Sequence, residues 1–441
     1  MNFRTILILI CLLTGLARVA MGQESVGPSV CLTLKDALKS ADRANLQVMM
    51  ANARLEQAIA RISEAQSDML PHLEGTVNGA RQTADLRAEG IRIPIPGFGP
   101  HVSPFNSFDA RARVTVALFD PSSFERFQAA KKGKDLSKAE LEKTREDILG
   151  LVAALFVDAQ RKQQSADLLE TLMQRDQMAY ELSLESLNQG IGTLLDSNKL
   201  RSDLSQTKYL FEQARLEAQD ALLDLEAALQ LPSNRRVIFL DDKDFLKRLQ
   251  NAAAVNFNNA DNADTAMASS ELDVRKADQK SAVADFFPKV SGTANYGRSG
   301  ESPGHGSNTY FVGLQASVPI WEGGAQQAKI KEVKGQVKEA QENLLDVTRQ
   351  QEVNVVKARA AIVEAEDLRE AKAQARQTAQ RALRIAFHSQ ETGSGSVFEV
   401  MLAKSGLALA EEDYNEAQAL WVVSHINLFH AEGRLRELIR Q

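Results

Sequence analysis

The sequence contains only two cysteines, Cys11 and Cys31. Cys11 falls in an N-terminal segment that we expect to be cleaved, so the mature chain would keep one cysteine and would form no internal disulfide. Lipid attachment requires a cysteine just after a small residue, whereas Cys11 follows Ile10 and Cys31 follows Val30. We therefore expect no lipid anchor.

Basic stripes and catalytic motifs are absent as well. The formal net charge is -6, and the lysines and arginines form no stripe of the kind that binds nucleic acid. The chain has no Gly-rich phosphate loop and no Gly-x-Ser-x-Gly motif. His425 and His430 are spaced so that they do not share one metal-facing side of a helix. The sequence thus predicts no enzyme, no catalytic residue, no cofactor, no metal site and no nucleic-acid partner.

Aromatic residues make up only 6% of the chain, and no proline occurs between Pro121 and Pro232. Low aromatic content with abundant Ala, Gln, Glu, Lys, Leu and Arg favours long helices over a compact enzyme. Apolar residues recur at coiled-coil spacing, as Val152, Leu155, Ala159, Ala166, Leu169, Met173, Tyr180 and Leu187. We predict two antiparallel helices joined at Gly190-Ile191-Gly192, the first reaching roughly 100 Å. An ordinary coiled-coil stalk would show the same periodicity.

The same construction occurs a second time. The segment Ala65–Arg81 aligns without gaps on Ala282–Arg298, and the turn Gly190–Asp196 aligns on Gly393–Glu399. Each half therefore predicts the order helix, strand, loop, strand, long helix, Gly-x-Gly turn, helix. The first helix is expected to begin at Thr33 and to continue to Leu70, before Pro71.

Two of the predicted strands alternate between apolar and polar residues. The apolar sets are Ala110, Ala112, Val114, Val116 and Leu118 in the first half, and Tyr310, Val312, Leu314, Ala316 and Val318 in the second. Segments of about ten residues suit a tilted strand that crosses a bilayer. A half-buried strand in a soluble sandwich is the alternative. Only four strands are predicted, and an open sheet in lipid leaves its edges unsatisfied, so other subunits would have to complete it.

The chain divides into a signal peptide, two repeats and a linker. Arg4, the apolar run from Ile6 to Leu13 and the small residues around Met21 indicate a secretory signal peptide, with an uncleaved anchor as the alternative. The predicted boundaries are 1–22 for the signal peptide; 23–231 for the first repeat, with strands at about 72–82 and 109–119 and a helical hairpin at 121–231; 232–258 for an equatorial linker; and 259–441 for the second repeat, with strands at about 289–297 and 309–319 and a helical hairpin at 321–438. Composition predicts loops at Ala84–Phe108 and Gly297–Asn308. The linker is expected to form a small mixed belt with the residues before Thr33 and with the C-terminus from about Leu435 to Gln441; a plain linker is the alternative.

The duplicated plan, the Gly-x-Gly turns and the motifs Leu118-Phe119-Asp120-Pro121 and Val318-Pro319-Ile320-Trp321-Glu322-Gly323-Gly324 resemble those of the TolC-like outer-membrane efflux protein family. The resemblance covers essentially the whole mature chain. It implies a mainly α fold with transmembrane β-strands, in which long coiled-coil helices form a periplasmic tunnel. It also implies a homotrimer in which each subunit gives four strands to a twelve-stranded barrel in the outer membrane.

The resemblance also assigns roles to particular residues. At the strand-to-helix passage these are Pro71, Pro288, Phe119, Asp120, Pro121, Pro319, Trp321, Gly323 and Gly324. At the tip turns, where a periplasmic adaptor is expected to bind, they are Gly190, Gly192, Thr193, Gly393, Gly395 and Ser396, with left-handed glycines reversing the chain. Glu399 matches the first acidic position of the tunnel constriction, and Asp196 is its equivalent in the other repeat; the alternative for both is an exposed acid favoured by the helix dipole. Leu402 stands where some members have a second acid.

We therefore predict a passive exit duct of the outer membrane with a periplasmic extension. Its expected partners are two further copies of itself, outer-membrane lipid, a periplasmic adaptor and an energised inner-membrane transporter. Efflux of small molecules or metal ions is the leading interpretation. Type I secretion of protein or peptide and a non-conducting periplasmic coiled-coil scaffold are the alternatives.

Overall fold

The computed structural model describes residues 27–85, 87–88, 90, 101–190, 192–231, 235–240, 243–253 and 262–440. The helices are α1 (Leu34–Ala44), α2 (Leu46–Ser67), α3 (Pro121–Asn188), α4 (Leu194–Leu229), α5 (Lys243–Ala253), α6 (Ala263–Ala284), α7 (Ala325–Glu391), α8 (Val397–Ala431) and α9 (Leu435–Arg440). The strands are β1 (Gly27–Leu32), β2 (His72–Asp85), β3 (His101–Phe119), β4 (Arg235–Phe239), β5 (Lys289–Ser302) and β6 (His305–Ser317). The predicted signal peptide lies outside the described residues.

The order of these elements confirms the predicted duplicated plan. In each half a helix precedes two antiparallel strands, and a long helix, a glycine turn and a shorter helix follow. The two long helices, α3 and α7, contain 68 and 67 residues. Among the described residues, no helix is both long and apolar enough to cross a membrane.

The chain forms two compact units, each built from three separate segments. One unit contains Met1–Asn45, Leu151–Ala254 and Glu364–Ser424, and the other contains Leu46–Gly150, Val255–Val363 and His425–Gln441. Helices α3, α7 and α8 contribute residues to both units.

The second unit contains a four-stranded antiparallel sheet in the order β2-β3-β5-β6. Its register pairs Ala112 with Tyr296 and Tyr296 with Tyr310. Because directly paired residues share a face, this register places the two predicted apolar sets on the same side of the sheet. In the described part of the chain, β2 pairs only with β3 and β6 only with β5, which leaves both outer edges without a neighbour.

Helices α6 and α7 pack together in the same unit. Leu272 of α6 forms a buried cluster with Val337 and Ala340, and Leu344 packs against it. Burial of these apolar side chains contributes about 25 cal/mol for each Å² removed from water. Val337, Ala340 and Leu344, spaced three or four residues apart along α7, therefore form an apolar seam that contacts α6.

The first unit contains a small parallel pair, β1 with β4, in the N-terminal and linker segments predicted to form a belt. The C-terminal helix α9, which was assigned to the same belt, belongs to the second unit instead. Phe156 of α3 packs edge-on against Phe239 of β4, with ring centroids 5.3 Å apart. Leu38, Leu225 and Leu249, from α1, α4 and α5, are fully buried. The four predicted strands form the large sheet, and β1 and β4 form a second, two-stranded sheet whose strands were not predicted individually.

The predicted first helix is interrupted at Asn45. Asn45 has an extended backbone, with ψ 134°, and its side-chain amide donates a hydrogen bond of 2.9 Å to the carbonyl of Ala228 in α4. This tertiary contact offers the side chain a partner outside the helix and separates α1 from α2. The helix also ends at Ser67 rather than Leu70, and its counterpart α6 begins at Ala263 after the cap residue Asn262.

The predicted loops between strands are too long. β3 begins at His101, and β5 continues to Ser302, so only Pro303 and Gly304 separate it from β6. The glycines that indicated a loop permit close strand approach instead: a Cβ on Gly297 would lie 2.4 Å from the Ala110 carbonyl oxygen. The proline-rich part of the first loop, 91–100, lies outside the described residues.

Candidate functional site

The two glycine turns reverse the chain between α3 and α4 and between α7 and α8. Gly190 has φ 77° and Gly393 has φ 73°, and both are in the left-handed region that favours glycine. The Gly190 N–H donates to the Leu187 carbonyl at 3.0 Å, and the Gly393 N–H donates to the Gln390 carbonyl at 3.1 Å. The first glycine of each turn therefore acts as predicted for a helix C-terminus.

The second glycine of each turn does not have a left-handed backbone, which corrects the prediction for Gly192 and Gly395. A Cβ on Gly192 would lie 3.0 Å from the Leu187 nitrogen, and a Cβ on Gly395 would lie 2.8 Å from the Ser389 Cβ. The N–H groups of both glycines donate to carbonyls of the preceding helix, at Ser186 and Ser389. These positions require glycine because the turn folds back onto the helix that it ends.

Both returning helices begin with a hydroxyl cap. Thr193 accepts the Asp196 N–H at 3.2 Å, and its hydroxyl donates to the Asp196 carboxylate at 2.6 Å. Ser396 accepts the Glu399 N–H at 3.2 Å, and the Glu399 carboxylate accepts the Ser396 N–H at 3.3 Å. The second pattern is a reciprocal capping box.

Asp196 and Glu399 are both exposed. An acid at this position also interacts favourably with the positive end of the helix dipole. In one chain the geometry thus shows each acid as part of a cap.

Apolar side chains surround the first turn of α8. Phe398 is 61% exposed and Leu402 is 65% exposed, and the ammonium of Lys199 in α4 lies 5.6 Å from the Phe398 ring centroid. A groove of about 570 Å³ lies between α3, α4 and α8. It is lined mainly by apolar residues, including Leu169, Leu172, Leu210, Met401, Leu402 and Leu409. This groove was not predicted, because its residues come from three helices.

The strand-to-helix passage is organised by Asp120. Its carboxylate accepts the N–H and the hydroxyl of both Ser122 and Ser123, at distances from 2.7 to 3.3 Å. Both serines are buried, at 0% and 2% exposure. Pro121, at the first helical position, has no N–H to satisfy. The sequence Asp120-Pro121-Ser122-Ser123 is typical of a helix cap, but the four hydrogen bonds of Asp120 were not predicted from it.

Charged residues connect the Asp120 cap to neighbouring elements. The Lys289 ammonium lies 3.9 Å from the Asp120 carboxylate and 3.2 Å from that of Asp285. Arg126 lies 3.9 Å from Asp68 and 4.0 Å from Asp285. The ends of α2 and α6 are thereby joined to the starts of α3 and β5.

The remaining passage residues lie at the strand ends. Pro71 and Pro288 each precede a strand, and Pro319 follows β6. Phe119 is 54% exposed and Trp321 is 82% exposed. Gly323 and Gly324 have φ 63° and 87°, and they directly precede α7.

The polar face of the sheet carries a cluster that the sequence did not predict. Arg111 contacts both carboxylate oxygens of Asp109, and the Ser299 hydroxyl donates to Asp109 at 2.6 Å. Charge-assisted bidentate pairs of this type are among the stronger side-chain hydrogen bonds. The cluster fixes β3 against β5 on the side opposite the apolar face. In the described part of the chain, no three His, Cys, Asp or Glu residues are grouped to hold a metal ion.

Comparisons with known proteins agree with this architecture. The alkaline protease secretion protein AprF of Pseudomonas aeruginosa is 22% identical over 295 residues, which are 64% of this chain and 60% of that protein. The Campylobacter jejuni CmeC outer membrane channel matches with a TM-score of 0.76 and 18% identity, covering 91% of this chain and 85% of that one. The Vibrio cholerae outer membrane protein VceC matches with a TM-score of 0.73 and 16% identity, covering 91% and 96%.

A family model described as outer membrane efflux protein matches residues 37–230 and 258–434, which together make up most of the sequence. The matched ranges include both glycine turns and all four strands of the large sheet. The chain belongs to the outer membrane efflux protein family.

Proposed function

We propose that this protein is the outer-membrane exit duct of a tripartite efflux or secretion system. Three copies together form a twelve-stranded barrel, and their long helices form a periplasmic tunnel. The duct is passive, and an inner-membrane transporter supplies the energy through a periplasmic adaptor. An N-terminal signal peptide directs the chain to the cell envelope.

The observation that carries this proposal is the exposed apolar face of a sheet with two open edges. Val77, Tyr310 and Leu314 are 72%, 80% and 76% exposed. Soluble monomers rarely expose a large contiguous apolar patch. In lipid such a face is favourable, but unpaired edge N–H and C=O groups are not, so the sheet must be closed by pairing with other strands. Neighbouring copies of the same chain supply those strands.

The match to the CmeC outer membrane channel over 91% of this chain supports the same assembly. Under the proposal, the glycine turns form the periplasmic tip and contact the adaptor. Glu399 and Asp196 then form rings of like charge near the constriction, which favour cations. Leu402 places an apolar side chain where a second acidic ring would otherwise lie.

The proposal is tested on protein extracted from outer membranes. An unheated gel should show a heat-sensitive trimer, and the trimer should give discrete conductance steps in planar bilayers. A soluble monomer in the periplasmic fraction would refute the proposal and favour a non-conducting coiled-coil scaffold. A trimer without conductance would also refute the duct.

Secretion of protein is the second candidate, favoured by the similarity to the alkaline protease secretion protein AprF. A deletion strain distinguishes the two candidates. Loss of specific proteins from the culture medium, with unchanged sensitivity to toxic small molecules and metal ions, would assign the duct to secretion. Increased sensitivity with an unchanged set of secreted proteins would assign it to efflux.

A further inference from the structure

The C-terminal residues are held against α3 by a polar cluster that has no role in conduction as proposed above. We call Glu146, Asp147, His430, Leu435 and Arg436 the C-terminal clasp. All five residues belong to the sheet-containing unit. The clasp joins the middle of α3 to the last turn of α8 and to the start of α9.

Glu146 holds the main chain of α9. Its carboxylate accepts the N–H of Leu435 at 3.0 Å and the N–H of Arg436 at 3.3 Å. Glu146 is 7% exposed, and Leu435 is fully buried. A buried carboxylate that accepts two main-chain N–H groups fixes the direction in which α9 leaves the end of α8.

His430 forms the second contact. Its Nε2 lies 3.1 Å from the Asp147 carboxylate. The imidazole ring packs over Gly150, where an added Cβ would lie 3.2 Å from His430 Cδ2. Gly150 therefore leaves room for the ring to reach Asp147. His430 is also in the last turn of α8, where the helix dipole favours a cation.

Fixed charges surround the clasp on every side. Lys143 of α3 pairs with Asp147 at 3.6 Å and also with Asp264 of α6. On the C-terminal segment, Arg436 pairs with Glu142. Other charged groups near the clasp are Arg145 of α3, Arg359 of α7, Glu432 and Arg434 between α8 and α9, and Glu437 of α9.

We propose that the clasp is a pH-sensitive device that fastens the C-terminal helix to α3 when His430 is protonated and releases it when His430 loses its proton. The proton converts the His430–Asp147 contact from a hydrogen bond between a neutral imidazole and a carboxylate into an ion pair. It also places a positive charge beside the buried Glu146 carboxylate. Without that proton, Glu146 and Asp147 form a pair of adjacent carboxylates that loses one of its positive partners and keeps Lys143 and Arg436.

The pKa shifts agree in sign with this device. The hydrogen bond to Asp147 raises the pKa of His430 above 6.5, and the same bond lowers the pKa of Asp147 below 3.8. Burial raises the pKa of Glu146 above 4.5. The stability from His430 is fully present below pH 6.5 and is lost as the pH rises through its raised pKa. The stability from Asp147 is lost as the pH falls through its lowered pKa. The ion pair is thus complete between pH 3.8 and pH 6.5.

The expected size of the effect follows from proton linkage. If the closed clasp binds one proton more than the open clasp, the opening equilibrium rises by at most about tenfold per pH unit between pH 6.5 and the raised pKa of His430. Ionisation of Glu146 also makes the opening equilibrium rise with pH, from pH 4.5 upward. Hydrogen exchange of the Leu435 and Arg436 amides reports the opening directly, because both N–H groups donate hydrogen bonds to the Glu146 carboxylate.

The test is hydrogen exchange, read by mass spectrometry, of peptides covering residues 432–440 in the full-length protein in detergent. Rates are measured from pH 5.5 to pH 8.5 and corrected for the intrinsic pH dependence of exchange. In the wild type, protection of the Leu435 and Arg436 amides should fall as the pH rises above 6.5. Asp147→Asn keeps a hydrogen-bond acceptor but removes the charge, so it should lower the protection at pH 5.5 and flatten the slope. Glu146→Gln should keep the slope above pH 6.5.

His388→Gln is the matched control, because His388 is an exposed histidine in the last turn of α7 and lies outside the clasp. It should reproduce the wild-type profile. His430→Gln removes the titrating imidazole and should abolish the fall in protection above pH 6.5; should this variant fail to fold, Asp147→Asn still decides the result. Protection that does not change with pH in the wild type, or an unchanged slope in Asp147→Asn, would overturn the proposal.

Discussion

Removal of the Asp120 carboxylate should selectively destabilise the start of α3. In Asp120→Ala, the helix loses its cap, at a cost of about 1 kcal/mol. The hydroxyls of Ser122 and Ser123 also lose their acceptor, and because both are buried each loss costs about 0.5–1.5 kcal/mol. Together these losses amount to about 2–4 kcal/mol, which corresponds to about 30- to 1,000-fold in the local opening equilibrium.

The assay is hydrogen exchange of the amides of residues 122–127 in the purified protein. Asp120→Asn keeps one carbonyl oxygen, which can take the place of the Oδ1 atom that accepts three of the four bonds, so it should cost only about 1 kcal/mol. Asp68→Ala removes an exposed acid that lies 3.9 Å from Arg126, and it should change the rate by less than about fivefold. Equal protection in Asp120→Ala and the wild type would refute the assigned role of the cap.

Three further predictions follow from the turns and the sheet. Gly393→Ala should destabilise the second turn by about 1–2 kcal/mol, because Gly393 has φ 73°. Gly406→Ala, in open space within α8, should instead stabilise that helix by about 0.5–1 kcal/mol. Local hydrogen exchange that changes in the same direction for both variants would contradict this. Leu314→Arg on the apolar face should cost about 2–4 kcal/mol in a bilayer and reduce the trimer band of an unheated gel, whereas Gln315→Arg on the opposite face should be tolerated. An equal loss of the trimer band in both variants would exclude a lipid-facing role for Leu314. Glu399→Gln should lower the cation preference measured in planar bilayers, and an unchanged reversal potential would exclude the charge ring.

Periodicity predicted the long helices and the faces of the sheet because both depend on local patterns. The coiled-coil spacing of α3 and the alternation in β3 and β6 each place the apolar residues on one face of the element, and that face is recognisable from the sequence alone. The break at Asn45 was missed because its cause is the Ala228 carbonyl, which lies 183 residues away in the sequence. The end of β5 was missed because glycine was interpreted as a loop signal. In the structure, Gly297 allows two strands to approach closely.

The candidate site was predictable where its contacts are local. The caps at Thr193 and Ser396 and the left-handed glycines Gly190 and Gly393 follow from short motifs. The C-terminal clasp could not be predicted, since His430 and Asp147 are 283 residues apart and neither belongs to a recognisable motif. Charged clusters that join separate elements depend on tertiary packing, which a single sequence does not specify.

The two turns show how a duplicated motif can acquire different properties through one methylene group. The Asp196 carboxylate accepts the Thr193 hydroxyl at 2.6 Å. The longer Glu399 reaches back to the Ser396 N–H, and the added bond ties its carboxylate to the backbone. A tethered carboxylate has fewer rotamers and therefore a better defined position in any ring that three copies form. Both acids are tethered at the start of a helix, Asp196 to a side-chain hydroxyl and Glu399 to the backbone, so either turn can hold a fixed charge in such a ring.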